Sequence, residues 1–227
     1  MPKQLPKFGA ENLIKYYLYD FCGYNSELFH SLNSLFSGHL TQKFLKFFTL
    51  FFEIENFAIY YIAALSFIWF KFLKKQKSKE QFFDIYNYMV NIGLIYALTG
   101  IVYTLLKFGV GMKRPYCNES ANSFTTIIDT ESQRCFNSFP SSHTAISILC
   151  VYALWPFMNL WQKWLSLIAV LVVCASRVAL AMHYPSDIIY SIAIIFILIS
   201  ICKKIFNLLK PSIVRYIGEF LYKNFFS

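Results

Sequence analysis

Three permanent cations, Lys107, Arg114 and Arg177, sit at the ends of apolar runs in a chain of 227 residues, and two of its four histidines, His143 and His183, stand beside them. Lys107 closes one apolar run and Arg114-Pro115 follows it; Pro140-Ser141-Ser142-His143 opens another; Ser176-Arg177 closes a third; His183 and Asp187 introduce a fourth. Ionisable groups near membrane depth are costly, and their presence there is by default a sign of function. No equal set of acids accompanies the three cations, so the expected partner is a multiply charged anion, and guanidinium matches phosphate oxygens bidentately. Ser141 and the backbone N–H groups of Ser142 and His143 would stand at a helix start, where free donors and the positive end of the dipole favour phosphate. His183 and Asp187 are four apart, so in a helical or tightly turned connection the carboxylate can hold one ring nitrogen and leave the other to attack. His143, on a separate helix, can act as general acid and later as base. Taken singly, each piece has a plain structural reading: an interfacial anchor, an N-terminal cap, a helical side-chain pair. Their joint occurrence on one face is much harder to explain as structure alone.

The elements that must position these residues are membrane helices. The chain is 57% hydrophobic, 20% aromatic and only 15% charged, with a mean hydropathy of +0.46, whereas soluble proteins are nearer ~45–50% apolar and ~25% charged. So much apolar surface excludes disorder and points to a single all-α polytopic membrane domain over residues 1–227. The net charge of +9 does not indicate nucleic acid, because the cations punctuate apolar runs instead of forming a basic stripe on a soluble face. Apolar length predicts five spans: Glu55–Phe72, Phe83–Leu106, Thr144–Trp161, Trp164–Met182 and Ile188–Cys202. A sixth, N-terminal span is the alternative. Lys71, Lys74, Lys75, Lys77 and Lys79, with Lys203 and Lys204, mark the cytoplasmic ends, which puts the N-terminus outside and the C-terminus inside. Residues 1–54 are expected to lie along the interface, and a stripe of Ile213, Tyr216, Ile217, Phe220 and Leu221 suggests a second interfacial helix, with packing against the bundle as its alternative. The first residues are too polar and charged for a secretory signal peptide. By parity of crossing, all the residues singled out above fall at the outer face, opposite the lysine cluster, within 107–187.

Six cysteines show no zinc-ligand spacing. Cys117 and Cys135 share the long outer loop, where a disulfide is one reading and two free thiols the other. Cys150, Cys174 and Cys202 read as small core residues.

Lys107-Phe-Gly-Val-Gly-Met-Lys-Arg114-Pro115 resembles the first motif, KxxxxxxRP, of the type 2 phosphatidic acid phosphatase family. Pro140-Ser141-Ser142-His143 is similar to its second, PSGH, with Ser142 in place of the usual glycine, and Ser176-Arg177 through His183 to Asp187 is similar to its third, SRxxxxxHxxxD. The resemblance implies His183 as nucleophile forming a phosphohistidine, Asp187 as its orienting partner, and His143 as acid and base. It further implies Lys107, Arg114, Ser141, Arg177 and the Ser142 amide as holders of the phosphoryl oxygens. No metal and no cofactor enter this scheme, and no carboxylate cluster suited to Mg²⁺ accompanies the motifs. The expected activity is hydrolysis of a membrane lipid phosphate: undecaprenyl diphosphate, phosphatidylglycerophosphate, phosphatidic acid or a lipid A phosphate. The alternatives are transfer of the phosphoryl group to another lipid, and lipid binding without turnover. The expected setting is a bacterial inner membrane with the site facing the periplasm. The partners are the lipid substrate and the bilayer, with no nucleic acid and no obligate protein partner.

Overall fold

The computed structural model describes residues 15–74, 78–131 and 134–225. Eight helices of two turns or more run through it: α1 (Tyr24–Leu35), α2 (His39–Leu50), α3 (Ile54–Lys74), α4 (Lys79–Val110), α5 (Ser142–Leu154), α6 (Leu160–Ala179), α7 (Pro185–Leu209) and α8 (Arg215–Phe225). No strand occurs among the described residues, so the all-α polytopic reading holds. Helices α4, α6 and α7 are each long and apolar enough to cross a membrane, and α2 with α3, taken through Phe70, qualifies as one path bent by 47°. The predicted third span is the short one. Helix α5 and the 3-10 turn after it cover only Ser142–Phe157, because the chain breaks at Asn159, whose side chain and that of Gln162 cap α6. Trp161 therefore belongs to α6, not to the third span. Length and composition thus give three spans, or four with the bent pair, where five helices were expected to cross. Lys75 and Lys77 of the lysine cluster, and residues 1–14 of the N-terminal segment, lie outside the described residues.

Helix α5 occupies the centre of the bundle. Ile146 and Leu149 are fully buried against Ile92, Ile95 and Tyr103 of α4 and Ile195 and Cys202 of α7. Helix α6 presents Trp161, Trp164, Leu165, Ile168 and Leu171 outward, an apolar face suited to lipid. Helix α8 folds back on the start of α4: Gly218 lies so close that a Cβ would stand 2.6 Å from Phe83, the Tyr86 hydroxyl donates to the Val214 carbonyl, and Lys79 pairs with Glu219 at 2.6 Å. The apolar stripe read from the sequence faces away from this contact, with Tyr216 76% and Phe220 59% exposed. Packing and interfacial exposure therefore coexist on opposite faces of α8.

The N-terminal helices are inverted in the same sense. In α2 the buried positions are Gln42, Leu45 and Thr49, while Leu40, Phe44, Phe47 and Leu50 are exposed. In α1, Asn25 and Asn33 are buried with Phe29. Polar side chains at helical spacing thus face the protein, and they end on the segment that carries Arg177, His183 and Asp187. Asn33 and Gln42 both donate to the carbonyl of Ala179, at 2.9 and 3.1 Å, satisfying an orphan acceptor at the end of α6. Asn25 exchanges two hydrogen bonds with Ser186 at the start of α7, at 2.8 and 3.0 Å.

Candidate active site

Lys107, Arg114, Ser142, His143, Arg177 and His183 line one cavity of about 660 Å³. They arrive from four pieces of local structure. Lys107 sits in the last turn of α4, which ends at Gly111 with φ of +57°, a conformation that glycine adopts without steric cost. Arg114 follows, its backbone N–H bonded to the Cys135 carbonyl at 2.8 Å and its Nε to Asn137 Oδ1 at 2.9 Å. A disulfide joins Cys117 to Cys135, so the loop that seats Arg114 is closed covalently, and the thiol alternative is set aside. Ser142 and His143 open α5, with first-turn N–H groups that no intrahelical acceptor can reach.

The third motif makes a tight reversal between α6 and α7. Ala181 adopts φ of +55°, and the amides of Met182 and His183 both return to the Arg177 carbonyl, at 3.0 and 3.1 Å. That turn brings the His183 ring and the Arg177 guanidinium into the same cavity. His183 Nδ1 faces Asp187 Oδ2 at 3.4 Å, a separation too long and misaligned for a hydrogen bond, and it has no hydrogen-bond partner among the described residues. Asp187 is instead gripped by three donors. The Ser138 hydroxyl and the Tyr184 amide donate to Oδ2 at 2.5 and 2.9 Å, and the Tyr19 phenol donates to Oδ1 at 2.7 Å.

Electrostatics keep the His183 ring neutral. Burial, followed by the fields of Arg114, Arg177 and Lys107, lowers its pKa well below the ordinary 6.5. A neutral ring has a lone pair for attack on phosphorus. Burial and the neighbouring Asp187 carboxylate raise the Tyr19 phenol well above its usual range, so it remains a donor. Arg177 is 5% exposed; its Nη1 donates to Thr49 Oγ1 at 3.3 Å, while its Nε has no partner among the described residues. A buried guanidinium with an unused N–H, beside two further cations, fits an anionic ligand.

One expected phosphate contact, Ser141, is not among the residues that line the cavity. Ser141 is fully buried behind the cavity wall: its amide donates to Ser191 Oγ at 2.6 Å, and its Oγ accepts from Thr144 at 3.1 Å. Lys107, Arg114, Ser142, His143, Arg177 and His183 converge on the cavity, and Asp187 stands against the His183 ring. Tyr19, Ser138, Thr49 and Asn137 were not foreseen. Asn25 with Asn33 in α1, and Gln42 with Thr49 in α2, recur at helical spacing, a signal that reaches Thr49 but not Tyr19, Ser138 or Asn137.

In this helical bundle His143, at the start of α5, and His183, in the turn between α6 and α7, share one cavity with the half-buried Lys107 and the buried Arg114 and Arg177. The PAP2 superfamily model matches residues 88–211, just over half of the chain and all three motifs, and the protein belongs to that superfamily. Membership together with the apolar helices makes it a membrane phosphatase. No curated protein and no solved structure gives a significant match.

Proposed function

We propose that the protein hydrolyses the phosphomonoester or pyrophosphate of a membrane lipid through a phosphohistidine, at the outer face of the membrane. The observation that carries this reading is the convergence of His143 and His183 with Lys107, Arg114 and Arg177 on one cavity. Binding alone would need the cations but not two imidazoles.

In the first step the ring nitrogen of His183 that faces away from Asp187 attacks phosphorus. The bond from phosphorus to the leaving oxygen breaks, and His143 gives that oxygen its proton. The incoming phosphate offsets the three cations, which lets His143 hold a proton in the complex. In the second step water attacks the phosphohistidine, His143 takes the water proton, the P–N bond breaks and inorganic phosphate leaves. Lys107, Arg114, Arg177 and the Ser142 amide stabilise the spreading charge, so the scheme calls on no metal. Asp187, fixed by Ser138, Tyr184 and Tyr19, steadies the imidazolium side of the intermediate.

The disulfide between Cys117 and Cys135 supports an oxidising compartment for this face, in line with a periplasmic site in an inner membrane and a cytoplasmic C-terminus. The candidate substrates are undecaprenyl diphosphate, phosphatidylglycerophosphate, phosphatidic acid and lipid A phosphates. Phosphate release from this panel by the purified protein in detergent, compared with His183→Ala, tests the proposal. Wild-type release that His183→Ala abolishes is the expected result; full release by His183→Ala would overturn the mechanism.

A further inference from the structure

The cavity is not lined by cations and imidazoles alone. Glu53 and Glu55, at the junction of α2 and α3, face the same space as Arg177 and Lys107. Both glutamates precede the matched family region. Glu53 lies within electrostatic reach of Arg177, and Glu55 within reach of Lys107. Yet neither carboxylate makes a side-chain hydrogen bond or an ion pair within 4 Å among the described residues. Counter-ions whose task was to neutralise the cations would close to contact; here a gap is kept between the two signs. Arg177, 5% exposed with an unused Nε, borders that gap from the other side.

The gap has a size and a chemistry. About 660 Å³ lies within the ~300–1,000 Å³ of pockets that enclose a drug-sized ligand, so a phosphoryl group alone leaves most of it empty. A carboxylate can only accept hydrogen bonds, and it repels a phosphate dianion unless donors stand between them. Resting on the hydrolase reading above, we propose that the substrate's phosphorylated headgroup carries hydrogen-bond donors, hydroxyls or an ammonium group, beside the scissile phosphate, and that Glu53 and Glu55 accept from them. The preferred lipids are then phosphorylated sugar, glycerol or amino-alcohol lipids. Diacylglycerol phosphate and polyprenyl phosphates, whose phosphorylated alcohol offers no donor, are poor substrates.

The test measures kcat/KM for phosphate release by the full chain in detergent micelles. Phosphatidic acid and undecaprenyl phosphate represent headgroups without donors. Phosphatidylglycerophosphate and lipid A supply hydroxyls, and a sphingoid-base 1-phosphate supplies an ammonium group. The wild type is expected to prefer at least one donor-bearing class by about tenfold or more, the range of one hydrogen bond to a charged group, and the class preferred tells hydroxyl from ammonium. Glu53→Gln with Glu55→Gln is expected to lower the rate on that class and raise it on phosphatidic acid. Equal rates on all lipids, or a preference that the double substitution leaves unmoved, would overturn the inference while the hydrolase reading stands. No phosphate release from any lipid would overturn both.

Discussion

Tyr19 and Asp187, 168 residues apart in the sequence, meet through a hydrogen bond of 2.7 Å from the phenol to Oδ1. Asp187 faces the ring of His183, so a residue outside the matched family region helps to set the position of the proposed nucleophile. Tyr19→Phe keeps the ring and its edge contacts with Phe139 and Tyr184 but removes the donor. A hydrogen bond to a charged group is worth about 1.5–3 kcal/mol, and its loss is expected to lower kcat by about tenfold while KM changes little. Initial-rate kinetics on the best lipid, with a thermal melt of the same sample, check this. A fall in stability with unchanged kcat would make Tyr19 a structural tie only.

The His183 ring gives a prediction on pH. Its pKa is lowered by burial and then by Arg114, Arg177 and Lys107, so in the free enzyme the nucleophile stays neutral as pH falls through 6.5 and is protonated only well below it. The acid limb of kcat/KM is therefore expected below the ordinary imidazole range. Lys107→Gln removes one of the depressing charges, and the limb should move to higher pH. The substrate's own second ionisation, about pH 6, is common to both enzymes and cancels in the comparison. An unmoved limb would mean that the cations do not set the protonation of His183.

The three motifs and their helix-end positions were legible in the sequence because charge is so rare in the apolar runs that each exception is informative. The inner packing of α8 and the role of residues 19–49 were not. In α2 the apolar Leu40, Phe44 and Phe47 are exposed while Gln42 and Thr49 are buried, because in a membrane the apolar face can point to lipid while polar residues bind the protein. The motif puts the Ser141 hydroxyl near phosphate, and its burial comes from the packing of α5 on α7, with Ser191 on the Ser141 amide, which no sequence pattern shows. The short third span was hidden by the continuous apolar character of Trp155–Trp161, within which Asn159 starts a new helix.

Asn33 and Gln42 share one acceptor, the Ala179 carbonyl, and both also donate to the Thr125 carbonyl. Leaving buried polar groups unpaired costs about 1–3 kcal/mol each, so Asn33→Ala and Gln42→Ala should each lower the unfolding temperature in detergent. Since either amide alone still reaches the same two oxygens and only the double variant leaves them without both donors, the double variant is expected to lose more than the sum of the two. Strict additivity would show that the two amides hold the third motif independently.

The Cys117–Cys135 disulfide closes the segment whose Cys135 carbonyl receives the Arg114 amide. Replacing both cysteines by serine should cost roughly 3 kcal/mol of stability, the scale for a loop of this length, and should raise KM as Arg114 loses its fixed seat. Thermal unfolding and Michaelis kinetics report the two effects. Alkylation of both thiols in non-reduced protein from the native host would show that the bond does not form there, and the prediction would fall with it.

Arg177 combines a cost and a use. It is a buried cation near two others, bonded through Nη1 to Thr49 and with Nε unused, an arrangement that penalises the empty protein and benefits a bound phosphate. Arg177→Met removes the penalty with a side chain of similar length, so without ligand the variant should unfold at the same or a higher temperature than the wild type. Inorganic phosphate at saturating concentration should stabilise the wild type by mass action and leave Arg177→Met unmoved. Arg177→Lys restores a charge but not the planar fork, and should recover stabilisation by phosphate only in part, with kcat/KM still down by about tenfold or more. Melting curves with and without phosphate separate these outcomes. A phosphate-dependent shift in Arg177→Met equal to that of the wild type would mean that the guanidinium does not hold the phosphoryl oxygens and that its burial serves the Thr49 contact alone.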